Sequence, residues 1–144
     1  MRKFLLLFSS LLICASFEAN AQARVVEISW MDYEYTQYQG VIVMYANNKG
    51  MVYSRFYNPM VGTVYVSQQA TLTNTYDYFG NCTSYINCSY PDTTPYVPYS
   101  ADNFAFFPDG SVYTQDYSGK WSTVVQYRIV PEYDWGNVID SYSL

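Results

Sequence analysis

The feature that most limits the fold of this sequence is a period-two alternation of apolar and polar residues, in short runs separated by turn residues. Residues 41–46 and 51–57 flank an Asn-Asn-Lys-Gly turn, and residues 103–107 and 111–116 flank a Pro-Asp-Gly turn. β-branched and aromatic residues dominate these runs, and this alternation is typical of strands that bury one face. Because such turns join antiparallel neighbours, the pattern predicts a series of hairpins.

Further strands are predicted at residues 24–30, 63–73 and 121–130. About seven to eight short strands at this spacing suit a small antiparallel β-sandwich or a closed β-barrel, and the sequence leaves both open. No helical period stands out. The tail, residues 132–144, is predicted to add an edge strand at residues 138–139 or to wrap the surface.

The N-terminus has the order of a secretory signal peptide. Arg2 and Lys3 precede an apolar run over residues 4–15, and small residues follow at Ala19 and Ala21. We therefore expect a signal peptide at residues 1–21 and a single domain at residues 22–144, secreted or periplasmic. The apolar run is shorter than the roughly 18–20 residues that cross a bilayer, so no transmembrane segment is expected. Cys14 is the alternative, a lipoprotein anchor, and it is disfavoured because the residue before such a cysteine is normally small.

Two cysteines, Cys82 and Cys88, remain after the expected cleavage. An even pair in an exported protein is expected to be oxidised, so the sequence predicts a disulfide that staples a short loop. Without further cysteines or any histidine, the pair cannot complete a tetrahedral metal site, and neither a metal nor another cofactor is indicated.

The charge and the missing histidine exclude several function classes. The chain has a net charge of −5 and no histidine. The acidic balance argues against a nucleic-acid partner. The commonest general base is absent, and Asp32 and Glu34 are the only close carboxylate pair on one strand face. We therefore expect no enzyme activity.

The many aromatic residues of the sequence indicate a binding surface. It contains 18 tyrosines and three tryptophans, more than a small domain can bury with every polar group satisfied. Alternation along residues 121–130 places Trp121 at the start of a buried row. Trp135 and Tyr133 follow the strand-ending Pro131, whereas Tyr96 and Tyr99 belong to a proline-rich segment, residues 90–99, that is expected to be a surface loop. The predicted ligand-binding residues are Trp135, Tyr133, Tyr96 and Tyr99.

These features favour a non-catalytic function. The first hypothesis is an exported binding or structural module of the bacterial envelope or exterior, which contacts a glycan or a protein through surface tyrosine and tryptophan. The alternative is a periplasmic inhibitor or immunity protein directed at a basic enzyme, because a compact acidic domain suits such a target.

Overall fold

The computed structural model describes residues 24–31, 35–89, 101–116 and 119–142. The predicted signal peptide at residues 1–21 and the proline-rich segment at residues 90–99 lie outside these residues. In chain order the elements are β1 (Arg24–Met31), β2 (Gln37–Met44), β3 (Lys49–Asn58), β4 (Gly62–Tyr76), β5 (Cys82–Cys88), β6 (Ala101–Phe106), β7 (Val112–Asp116), β8 (Trp121–Ile129), a 3-10 turn (Glu132–Asp134) and helix α1 (Trp135–Tyr142).

The eight described strands follow one another around a barrel in sequence order. Each strand pairs antiparallel with the next, and β8 pairs antiparallel with β1, from Val26↔Ile129 to Trp30↔Val124. The prediction of an antiparallel all-β fold is confirmed, and the strand order is that of a barrel rather than of two packed sheets. The β2–β3, β4–β5 and β6–β7 connections and the chain after β8 share one end, which we call the lower end. The other connections join the strands at the upper end.

The barrel interior is filled by apolar side chains from alternate positions of the strands. Trp30 stacks on Tyr38 with ring centroids 5.2 Å apart, and its ring meets Phe104 edge-on at 5.0 Å. All three side chains are almost completely buried. An eight-stranded barrel is just wide enough for its side chains to fill it, and burying a large apolar side chain contributes roughly 1.5–3 kcal/mol. The inward aromatic residues therefore provide much of the stability.

A second apolar cluster lies outside the barrel wall, where α1 packs. Val138 and Tyr142 of the helix are buried together with Val25, Val41 and Val43 of β1 and β2. The tail forms no edge strand at residues 138–139; it covers the outer surface of the barrel as a helix, which the sequence does not predict. Apolar residues at positions 135, 138, 139 and 142 have the spacing of one helix face, and that face covers the outward valines.

β5 corrects the disulfide prediction. Cys82 and Cys88 stand at the two ends of one extended strand, and no disulfide joins them. The two cysteines are six positions apart in an extended strand, which separates their Cα atoms by about 20 Å, whereas a disulfide requires less than about 7 Å. Both side chains are buried, in alternation with the outward Thr83, Tyr85 and Asn87. The supposed stapled loop is a strand of the barrel.

A bulge in β8 corrects the prediction for Trp121. The register of β8 against β1 shifts between Ser29↔Gln126 and Trp30↔Val124, so β8 holds one extra residue there. The extra residue reverses which face the alternate side chains take. Val124 is buried and Trp121 is 51% exposed. Trp121 therefore faces outward instead of starting the buried row.

Candidate functional site

Six outward side chains of β5, β6, β7 and β8 form a continuous surface of aromatic rings and amides. We call this surface the aromatic–amide face, and its members are Tyr85, Asn87, Asn103, Tyr113, Gln115 and Trp121. None of the six carries a charge at neutral pH. The surface is therefore suited to an uncharged polar ligand.

Strand register aligns four of these residues in one row. Asn87 pairs with Asn103, Asn103 with Gln115, and Gln115 with Trp121. Because paired residues on neighbouring strands lie side by side, three amides lead across the sheet to the tryptophan ring. The row brings both hydrogen-bonding groups and an aromatic surface to the same level of the barrel.

The next row presents two tyrosines on either side of a small residue. Tyr85 pairs with Ala105, and Ala105 pairs with Tyr113. Ala105 is fully buried although it faces outward, which we attribute to cover from these flanking rings. Phe107 packs edge-on against Tyr113 with ring centroids 5.6 Å apart. Two strand spacings, about 10 Å, separate the tyrosine backbones and leave a shallow surface between them.

Hydrogen bonds fix the amides of the first row. The Asn103 Nδ2 group donates to Gln115 Oε1 at 2.7 Å, and Gln115 Nε2 donates to the Gly119 carbonyl at 3.1 Å. Within the described part of the chain, the buried Oδ1 of Asn103 accepts no hydrogen bond. The amides of Asn103 and Gln115 are therefore held in fixed positions before any ligand binds.

The sequence-predicted site residues lie elsewhere. The Trp135 indole N–H donates to the Val130 carbonyl at 2.8 Å, and the ring packs against the cluster under α1. Tyr133 is 89% exposed on the 3-10 turn after β8, whereas Trp121 begins that strand. Trp135 and Tyr133 therefore follow β8 at the lower end of the barrel, whereas Trp121 begins β8 at the upper end. Tyr96 and Tyr99 lie outside the described residues, as do Asp32 and Glu34.

A charged network joins α1 to the barrel wall. Glu27 accepts hydrogen bonds from Arg128 Nε at 2.8 Å and from the Tyr142 hydroxyl at 2.7 Å. The Arg55 guanidinium lies 4.6 Å from the centre of the Tyr142 ring and donates to the Ser141 carbonyl. Glu27, Arg128 and Tyr142 line a groove of about 220 Å³. Since its charged groups are engaged with one another, we interpret the network as the joint that holds the helix.

The network also explains the strongest pKa shift among the described residues. Burial and the hydrogen bond to Glu27 raise the pKa of Tyr142 to about 12. Burial raises the pKa of Glu27, but the hydrogen bonds from Tyr142 and Arg128 outweigh it, so this pKa lies below its ordinary value. Helix docking therefore raises the pKa of Tyr142, and together with Arg128 of β8 it lowers the pKa of Glu27.

Comparisons with known proteins reveal no relative. No family model, no curated protein and no solved structure matches the chain. Within the described residues, no group of three or more acidic or cysteine side chains is placed to hold a metal ion, and no helix is long and apolar enough to cross a membrane.

Proposed function

We propose that this chain is an exported, non-catalytic binding module that contacts an uncharged glycan through the aromatic–amide face. The observation that carries the proposal is the row of three amides that ends at a half-exposed Trp121. Export is inferred from the signal-peptide pattern of residues 1–21.

The chemistry of a sugar ring matches this row. An aromatic ring can stack on the apolar face of a sugar, and primary amides offer both donors and acceptors to its hydroxyl groups. Trp121 supplies the ring, and Asn87, Asn103 and Gln115 supply the amides. Because these side chains stand on paired strands rather than on loops, little ordering is required when a ligand binds.

The absence of charge on the face favours a neutral glycan over an acidic one. Lys120 is the nearest cation in sequence, and it precedes β8 rather than belonging to the face. A polyanionic sugar would meet no basic cluster there, and it would be repelled by the net negative charge of the chain.

Affinity electrophoresis on soluble neutral and acidic polysaccharides tests the proposal. The wild-type protein is expected to be retarded by at least one neutral polysaccharide, and Trp121→Ala is expected to weaken binding by about 1–2 kcal/mol, or roughly 5–30-fold. Tyr57→Ala is the matched control, since this exposed tyrosine lies at the upper end of β3, outside the face. The proposal fails if no neutral polysaccharide retards the protein, or if Trp121→Ala binds as the wild type does.

A further inference from the structure

The β4–β5 hairpin displays two exposed aromatic rings at its tip. Tyr78 is 97% exposed and Phe79 is 85% exposed. The two rings meet edge-on with centroids 5.6 Å apart and an interplanar angle of 89°. Neither side chain belongs to either apolar core. Their exposure is therefore not required by the packing of the barrel.

The tip is held in one shape by Asp77. Its carboxylate accepts hydrogen bonds from the Phe79 N–H at 2.8 Å, the Asn81 N–H at 2.9 Å and the Asn81 side-chain amide at 3.0 Å. The Asp77 N–H donates to the Asn81 carbonyl, and Gly80 turns the chain with a φ of 82°. A turn fixed in this way presents the two rings without the entropy cost of ordering a loose loop on binding.

The tip also projects from the barrel wall. β3 pairs with β4 only as far as Thr71, whereas β5 follows β4 to Tyr76. The last residues of β4 therefore extend beyond the start of β3 at the lower end. A projecting hairpin can enter a concave surface that the flat barrel wall cannot reach.

The charge of the chain from β4 to β7 favours a positively charged partner. Between Arg55 and Lys120 the sequence has no lysine or arginine, although it contains the five aspartates Asp77, Asp92, Asp102, Asp109 and Asp116. β4 to β7 belong to this stretch. Asp77 and Asp109 both stand in turns at the lower end. The Asp77 carboxylate accepts hydrogen bonds, above all from the Asn81 side chain, and these bonds hold its pKa below the usual range. The Asp109 carboxylate accepts hydrogen bonds, above all from the Ser111 side chain, with the same effect on its pKa.

We propose that the Tyr78–Phe79 pair is an anchor that enters an apolar pocket of a positively charged partner protein. The rings fill the pocket, and the Asp77 carboxylate in the same turn complements a basic rim. An anionic lipid surface is disfavoured because the tip carries negative charge and no cation. The site is separate from the aromatic–amide face, so this proposal does not depend on glycan binding.

Site-specific photo-cross-linking identifies the partner. p-Benzoylphenylalanine replaces Phe79 in the full chain, expressed in the organism that makes the protein, and replaces Tyr57 at the upper end as the control. We expect an adduct with one protein of net positive charge from position 79 and not from position 57. No specific adduct at position 79, or an adduct with an acidic protein, overturns the proposal.

The partner identified by cross-linking is then purified, and its affinity for the wild type and for defined variants of this chain is measured. Phe79→Ala is expected to weaken binding at least about 30-fold, the loss typical of a hot-spot truncation, and higher salt is expected to slow association. Trp121→Ala and Tyr57→Ala should leave the affinity unchanged. Equal affinities for the wild type and Phe79→Ala contradict the anchor role.

Sedimentation with lipid vesicles tests whether the tip binds a membrane instead of a protein. The wild-type protein is incubated with vesicles of phosphatidylcholine alone and of phosphatidylcholine with phosphatidylglycerol, and sedimented. We expect it to remain in the supernatant in both cases. Sedimentation that Phe79→Ala abolishes would assign the tip to a membrane and overturn the proposal.

Retention on neutral polysaccharide should be the same for Phe79→Ala and wild type, so failure of the anchor proposal is distinguishable from failure of the glycan proposal.

Discussion

Removing the Tyr142 hydroxyl tests the joint between α1 and the barrel. Tyr142→Phe keeps the buried ring and its contact with Arg55 but deletes the hydrogen bond to the Glu27 carboxylate. A hydrogen bond to a charged group contributes about 1.5–3 kcal/mol. We expect the variant to be less stable by about 2 kcal/mol at pH 8.

The same variant predicts a pH dependence with a definite sign. Folding raises the pKa of Tyr142, so the neutral phenol is favoured in the folded state, and its contribution is complete below pH 10. That contribution is lost as the pH rises from about 10 to about 12. The free-energy difference between wild type and Tyr142→Phe should therefore shrink across this window, and comparison of the two cancels the titration shared by the other tyrosines.

Urea unfolding, followed by circular dichroism from pH 8 to pH 11.5, measures both quantities. The slope of the transition should be the same for the two proteins, so that the midpoints report stability. A difference below about 0.5 kcal/mol at pH 8, or one that stays constant to pH 11.5, would refute the role assigned to the Tyr142–Glu27 hydrogen bond.

Three further predictions concern stability and the thiols. Trp135→Ala should destabilise the fold by about 2–4 kcal/mol in urea unfolding, because the ring packs under α1 and its N–H is bonded to the backbone; an unchanged midpoint would place Trp135 outside the core. Reductant should leave the thermal midpoint unchanged, and intact-mass analysis without reductant should show no bond between Cys82 and Cys88; a loss of two hydrogens at this pair would contradict the strand. Gly40→Ala should cost about 1–3 kcal/mol because the new Cβ would lie 2.8 Å from a carbonyl oxygen, whereas Gly136→Ala, with open space in the helix, should stabilise by about 0.5 kcal/mol. Equal midpoints for these two glycine variants would contradict the close strand contact.

The sequence predicts most strands because alternation and turn chemistry are local signals. Residues 24–30 and 51–57 were assigned to strands within two residues of the observed bounds of β1 and β3. The sequence does not predict β5 because two cysteines in an exported protein indicate a disulfide, although Ser84 and Ile86 alternate with the outward Tyr85. α1 was missed because it is short and contains glycine and several polar residues, which weaken the helical signal.

The candidate face could not be predicted because it depends on register across several strands. Asn87, Asn103, Gln115 and Trp121 come from four strands, and no spacing within one strand brings them together. Simple alternation along β8 predicts that the Trp121 side chain faces the interior, and this is wrong because the bulge lies between Trp121 and Tyr127. Trp135 was assigned to the surface because its polar neighbours concealed the apolar face of α1. Trp121, expected in the core, is thus half exposed, and Trp135, expected at the surface, is partly buried against the cluster under α1.

Titration of ¹⁵N-labelled protein with an oligosaccharide of the retained neutral polysaccharide tests the central proposal most directly. We predict that the indole N–H of Trp121 and the side-chain amides of Asn87, Asn103 and Gln115 shift together, with a single dissociation constant. The Trp135 indole, which is bonded to the Val130 carbonyl, should not move. Shifts confined to Trp135 and Tyr133, with Trp121 unaffected, would contradict a glycan site on the aromatic–amide face.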